Sequence, residues 1–358
     1  MDSPDVARCT AALSSVLAFA AVEASTSAFP VLTVNGKAFE CGEQLGFAWR
    51  DALRVHADRR PTDLKPWWMN ARKPFRQLID RHAPHLPDLF RGMAKGAGLR
   101  ETEVGSVLPA ETGGCTSFAL QPRMTLDGQP MSGQTKDNHV SQTFYYVVLR
   151  LRMTDAPPAL TLTYPGWVFG HGFVVGGCSI WRNSLLAAEG RGALPHGAWG
   201  LLAQHCHNVD EIVELTRQHG VVHAFHATVA DEQSGIAGIA VGGGKVSVLR
   251  PTGGLYVHAN AVRTRALASV DTATPAEREN SLLREERLRA RVEPDLKRMS
   301  VPLLFAAMSD HVGYPASVCA HTGPDRLTTA AIVAEPKRRL LHACRGNPCS
   351  NLPITYAL

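Results

Sequence analysis

The residues best placed to do chemistry are Gly113-Gly114-Cys115-Thr116-Ser117, followed by Gly133-Gln134-Thr135-Lys136-Asp137-Asn138. A cysteine at the start of a strand, directly after two glycines, can turn its sulfur on the carbonyl of Gly114. Glycine leaves that carbonyl unshielded and tolerates a strained backbone. The peptide would rearrange to a thioester, and hydrolysis would leave Cys115 as a new N-terminus. Its α-amino group, with a reference pKa of about 8, would then sit beside its own thiol as a general base near neutral pH. Taken alone, Gly-Gly-Cys-Thr is also the ordinary setting of a buried structural thiol.

With its surroundings, this segment resembles the acyl-coenzyme A:6-aminopenicillanic acid acyltransferase family of N-terminal-nucleophile hydrolases. There a Gly-Cys-Thr junction is followed by Gly-Gln-x-x-Asp, here Gly114-Cys115-Thr116 and Gly133-Gln134-Thr135-Lys136-Asp137. The likeness runs from about Val31 to the C-terminus. Gly92 to Leu99 is similar to the family's helix ahead of the cleavage region, and Gly170 to Ile180 with Asn183 to its glycine-rich strand segment. Tyr256-Val-His-Ala-Asn260 resembles its His-x-Asn strand end. Ser317-Val-Cys-Ala-His321 resembles its Ser-Ile-Cys-x-His segment, and Gly346-Asn347-Pro348-Cys349 its last strand.

The resemblance implies an α+β fold, a four-layer αββα sandwich of two mainly antiparallel sheets flanked by helices. It implies one domain over residues 29–358, cut between Gly114 and Cys115 into an α chain of residues 1–114 and a β chain of residues 115–358 that stay together. Cys115 would be both the cleavage residue and the acyl-accepting nucleophile. Asp137 would orient groups beside it, and Asn260 would donate its amide to the oxyanion of the attacked carbonyl. Thr116, Ser317 and His321 would support them. Without the family, Asn260 reads as the start of a turn. The implied substrate is a small N-acyl amide or an acyl thioester, with a coenzyme A ester among the candidates and water or an amine as acceptor.

Three positions depart from the family pattern. Lys136 stands where an aromatic residue is common before the aspartate, Ala320 where the Cys-x-His segment commonly has arginine, and Ile236 to Val241 ends without the expected glutamate. These bear on the substrate more than on the reaction. Two alternatives stay open: a catalytically silent binding protein on the same scaffold, and a cysteine hydrolase that is not self-cleaved and uses a histidine as base.

The elements around these motifs follow from periodicity. Val31 to Val34 reads as a strand ending at Asn35-Gly36, with a weak helix after it. Leu86, Leu89, Phe90, Met93, Ala94 and Ala97 predict a helix closed by Gly98. Strands are expected at Cys115 to Leu120 and Phe144 to Leu151 with an Asp127-Gly128 hairpin between them, then at Ala159 to Tyr164 and Phe173 to Ile180. Asn208 with Glu211 predicts a helix start. Further strands follow at Val222 to Ala230, Ile236 to Val241, Lys245 to Leu249 and Gly254 to His258. Thr274 to Glu277 caps a long helix reaching about Val292, and Pro302 to Met308 is a short one. Thr329 to Ala334 and Leu340 to Cys344 close the pattern as strands.

Composition excludes several classes. The 358 residues are 45% hydrophobic and 19% charged, with a formal charge of +5 spread in short clusters, which is globular and gives no nucleic-acid footprint. The longest apolar stretch, Ala11 to Val22, falls short of the roughly 20 residues that span a bilayer. With acidic residues before it, the segment 1–28 reads as an N-terminal extension and the protein as cytoplasmic. Secretion or a periplasmic location would follow if that segment is a signal peptide. The eight cysteines form no C-x-x-C pair or disulfide framework, and Cys178, Cys319 and Cys349 read as inert packing residues. His205-x-His207 and the group His219, His223 and His226 diverge in direction on their elements, so no metal ligands and no cofactor are assigned. Gly242 to Gly244 reads as a hairpin rather than a phosphate cradle.

Overall fold

The computed structural model describes residues 28–358, apart from 59–66, 70–72, 105–113, 191, 193 and 324–325. The expected N-terminal extension, save Ala28, and Gly113 thus lie outside the described residues.

In chain order the strands are β1 (Val31–Gly36), β2 (Gly114–Leu120), β3 (Met131–Asn138), β4 (Val147–Met153), β5 (Ala159–Tyr164), β6 (Trp167–Val174) and β7 (Cys178–Ser184). They continue with β8 (Phe225–Asp231), β9 (Ile236–Gly242), β10 (Lys245–Leu249), β11 (Leu255–His258), β12 (Leu327–Glu335), β13 (Leu340–Arg345) and β14 (Ile354–Ala357). One sheet has the order β1-β4-β5-β6-β7-β8-β9-β10, the other β11-β2-β3-β12-β13-β14. Every pairing is antiparallel except β1 with β4.

Helices α1 (Ala38–Ala48), α2 (Arg50–Asp58), α3 (Lys73–His82), α4 (Leu86–Ala97), α5 (His196–Gln204) and α6 (Val209–His219) belong to the side of the larger sheet. Helices α7 (Pro275–Val292) and α8 (Val301–Met308) cover the smaller one. Period-two alternation explains the layering. On β4, Val147, Leu149 and Leu151 face the helices, while Val148 faces the other sheet with Leu160, Leu162, Phe173 and Trp181. Ala330, Ile332, Ala334, Leu341 and Ala343 answer from the smaller sheet, so the space between the sheets is a packed apolar layer. Phe118 and Leu120 face outward against Leu288, Val292, Leu304 and Met308 of α7 and α8. The result is the expected αββα order.

Helices α1 and α4 pack through glycines. A Cβ on Gly42 would lie 2.0 Å from the Leu89 carbonyl oxygen, and one on Gly92 would lie 2.0 Å from that of Phe39. The glycines of the Gly92 to Leu99 segment therefore permit close helix contact, and Gly98 ends α4 in the left-handed conformation.

The structure corrects several expected elements. The Asp127-Gly128 turn joins β2 to β3, a strand that the polar run Met131–Asn138 did not announce, rather than to the strand expected at Phe144. That later strand is β4, which starts at Val147 and belongs to the other sheet. Phe173 to Ile180 is not one strand but the end of β6 and the start of β7 around a tight turn containing Gly176 at φ 71°. Helix α5 precedes the helix expected at Asn208. The Gly346 to Cys349 segment is a turn, and the last strand is β14.

Candidate active site

Cys115 lies near the start of β2, between β3 and β11. On one side Gly114 pairs with Asp137 and Cys115 with Lys136. On the other, His258 pairs with Ser117, and continuing that register two residues places Asn260 opposite Cys115. Strand β11 ends at His258, so a side chain replaces the ladder there: Asn260 Oδ1 accepts the Cys115 backbone N–H at 3.1 Å. Directly paired residues share a face. Cys115 and Ser117 therefore face the larger sheet, where Ser117 meets Thr228 (Oγ to Oγ1, 2.8 Å) and Asn183. Gly114, Thr116 and Asp137 face the outer helices. Both Cys115 and Asp137 are buried.

Helix α7 holds this junction. Its Thr274 cap and Glu277 form the expected capping box. From its buried stripe, Ser281 Oγ accepts the Asn260 and Ala261 N–H groups, both at 2.8 Å, and Glu285 Oε1 accepts that of Ala259 at 3.0 Å. Arg284 donates to the Cys115 carbonyl oxygen and Thr116 Oγ1 at 2.8 Å each, and to Asn260 Oδ1 at 2.7 Å. Burial lowers the Arg284 pKa to about 10, against the opposing pull of Asp137 and Cys115, so it remains a cation at neutral pH. Because Asn260 Oδ1 serves two donors, the amide orientation is fixed, and Nδ2 donates to the Ser184 carbonyl at 2.8 Å.

Asp137 stands beside the peptide bond before Cys115. Thr328 Oγ1 donates to its Oδ1 at 2.7 Å, and Arg326 Nη2 lies 3.5 Å from its Oδ2. A Cβ on Gly114 would come within 3.2 Å of that Oδ2 and 3.4 Å of Arg326 Nε. The absence of a side chain at Gly114 therefore admits the carboxylate.

Of the sequence-derived residues, Gly114, Cys115, Thr116, Asp137 and Asn260 converge. Ser317 Oγ donates to the Cys319 carbonyl at 2.7 Å, and His321 Nε2 meets Cys319 Sγ at 3.4 Å and Cys349 Sγ at 3.2 Å. Cys349 is exposed, which corrects its expected place as a packing residue. Sequence reasoning missed Arg284, Ser281 and Arg326. The signal for the first two was a stripe at Ser281, Arg284, Glu285, Leu288 and Val292 along a charged helix, with polar members where an apolar face is usual.

Two mainly antiparallel sheets lie face to face with helices outside, an αββα sandwich. The chain belongs to the acyl-coenzyme A:6-aminopenicillanic acid acyl-transferase family, whose model matches residues 163–349, just over half of the 358. It is accordingly an enzyme of acyl-group chemistry. The match includes Asn260 and Arg284, while Gly114, Cys115 and Asp137 precede it. No curated protein matches the chain. Among solved structures it is similar to a mutant of conjugated bile acid hydrolase from Clostridium perfringens, at 12% identity and a TM-score of 0.44, covering 68% of this chain and 97% of that one. It is also similar to penicillin V acylase from Agrobacterium tumefaciens, at 12% identity and a TM-score of 0.43, covering 64% and 82%. At that level neither neighbour's substrate transfers to this chain. No helix among the described residues is long and apolar enough to cross a membrane.

Proposed function

We propose that the chain is a self-processing cysteine amidohydrolase or acyltransferase acting on a small N-acyl amide or acyl thioester. The observation that carries this reading is the Cys115 backbone N–H held by Asn260 Oδ1, itself held by Arg284. A nitrogen destined to become a free amine is already bound by a fixed acceptor and lies close to a buried cation.

In the processing step, Cys115 Sγ attacks the Gly114 carbonyl carbon. The peptide nitrogen leaves with the thiol proton, and water cleaves the resulting thioester, giving the Gly114 carboxylate and the Cys115 amine and thiol. Its nearness to Gly114 supports Asp137 Oδ2 as the group that handles protons in that exchange. In turnover the Cys115 amine takes the thiol proton and sulfur attacks the acyl carbon. The second Nδ2 hydrogen of Asn260, beyond the one on Ser184, stabilises the oxyanion. The departing amine or thiol takes the proton back, and water or an amine then receives the acyl group. Nearby Arg284 disfavours the ammonium form and so keeps the amine available as a base.

The attacked carbonyl of the substrate must occupy the place that Gly114 held, which makes Asp137 and Arg326 lining residues for the acyl group. Incubating processed enzyme with a panel of N-acyl amides and acyl thioesters tests the mechanism. The β chain should gain the acyl mass at Cys115, hydroxylamine should remove it, and Cys115→Ala should not label. Turnover with the acyl group on another residue, or with no covalent adduct at steady state and full activity in Cys115→Ala, overturns it.

A further inference from the structure

Four donor side chains converge from two segments, the connection between α8 and β12 and the turn after β13. His311 follows α8, Cys319 and His321 precede β12, and Cys349 follows β13. One donor atom from each lies within 4.8 Å of all the others. Cys319 Sγ is 3.7 Å from Cys349 Sγ, and His311 Nε2 is 3.1 Å from His321 Nε2. His321 Nε2 is 3.4 Å from Cys319 Sγ and 3.2 Å from Cys349 Sγ.

These separations are close to the edges of a small tetrahedron. With Zn–S near 2.3 Å and Zn–N near 2.0–2.1 Å, tetrahedral coordination requires S–S of about 3.8 Å, N–N of about 3.4 Å and S–N of about 3.5 Å. The surroundings suit thiolates as well. Asn347 Nδ2 lies 3.3 Å from Cys319 Sγ and donates to the Ala320 carbonyl oxygen at 2.7 Å. An N–H aimed at a ligating sulfur is the kind of outer contact that orients and stabilises a metal thiolate.

We propose that His311, Cys319, His321 and Cys349 form a structural site for one zinc-type divalent cation. On binding, the two thiols lose their protons to solvent and the two imidazoles bind as neutral ligands through Nε2. The two thiolates cancel the cation's charge. Two sulfurs and two nitrogens select a borderline-soft metal over calcium or magnesium, and four protein ligands leave no open position for substrate.

The site would fasten the loop before β12 to the turn after β13. Between two ligands, the Ala320 N–H donates to Thr328 Oγ1 at 2.8 Å, and Thr328 in turn donates to Asp137. The cation would therefore steady the loop that positions Thr328 while taking no part in acyl chemistry.

The test uses full-length protein purified under reducing conditions, incubated with equimolar Zn2+ and freed of excess by gel filtration. Elemental analysis should find about one zinc per chain, and Co2+ in its place should give the strong visible and sulfur-to-metal bands of a tetrahedral thiolate site. Zn2+ should raise the Tm of the wild type but not that of Cys349→Ser. His311→Gln, altered at an exposed position, should lose at least about tenfold in zinc affinity against a chelator even if Cys349→Ser fails to fold. Negligible zinc retention or undiminished affinity in His311→Gln would overturn the proposal.

Discussion

The chemistry proposed at Cys115 depends on where single atoms are held, and Asn260 makes this testable. Its Oδ1 is committed to Cys115 N–H and Arg284, and its Nδ2 to Ser184, so the amide cannot flip without breaking three contacts. Asn260→Ala removes the proposed oxyanion donor, and kcat on an acyl substrate should fall about 10²–10³-fold with a smaller change in KM. Gly114 is a second sensitive position. Gly114→Val would put a branched side chain against Asp137 Oδ2 and Arg326 Nε and would shield the attacked carbonyl. Self-cleavage should slow at least tenfold, read as the fraction of intact chain over time on a denaturing gel. Cleavage at the wild-type rate would show that the carbonyl need not be bare.

The decisive element is α7, whose buried Ser281, Arg284 and Glu285 grip the 259–261 turn and the Cys115 carbonyl. Arg284→Met removes a buried cation and takes a donor from the Cys115 carbonyl, Thr116 Oγ1 and Asn260 Oδ1, of which Asn260 Oδ1 keeps the Cys115 N–H. Each buried acceptor left unsatisfied costs about 1–3 kcal/mol, so the variant should melt lower. The catalytic effect has a definite sign. A cation near the proposed Cys115 amine would lower its pKa, so removing it should shift the acidic limb of the kcat/KM profile to higher pH. A profile that keeps its position while activity falls would confine Arg284 to a structural role. The helix itself was legible through Thr274, Pro275 and Glu277. Its function was not, because a helix that reads as charged on all sides conceals which arginine is buried. Strand β3 was hidden for a related reason. Its residues Ser132, Gln134, Thr135, Lys136 and Asp137 are all buried, and burial of polar residues between two sheets and a helix layer leaves no hydrophobic alternation to detect.

Across the molecule, the layer order and most elements could be expected from strand and cap signals and from the family resemblance, whereas the pairing of distant segments could not. Nothing local in the sequence says that Asn260 continues the register of β11 opposite Cys115, or that His311 and Cys349 meet. Burial of histidines adds a global pH response. His85 and His205 have ring centroids 4.8 Å apart in the helical layer, and burial lowers their pKa values to about 4 and about 3. Both stay neutral in the fold while the unfolded chain protonates near 6.5, so the unfolded state binds more protons as pH falls. Stability is therefore fully present above about pH 6.5 and declines toward pH 4, by roughly 2 kcal/mol per histidine at pH 5. Thermal melts from pH 7.5 to 5 should show this fall, and His85→Leu should reduce its slope. A Tm independent of pH over that range would contradict the assignment.

The central claim concerns the chain's own covalent state, and intact mass with N-terminal sequencing of the fully active enzyme addresses it most directly. The account predicts a β chain that begins at Cys115 and ends at Leu358, accompanied by a fragment ending at Gly114, with Cys115→Ala left as one inactive polypeptide. A single uncut chain carrying the full activity would contradict it.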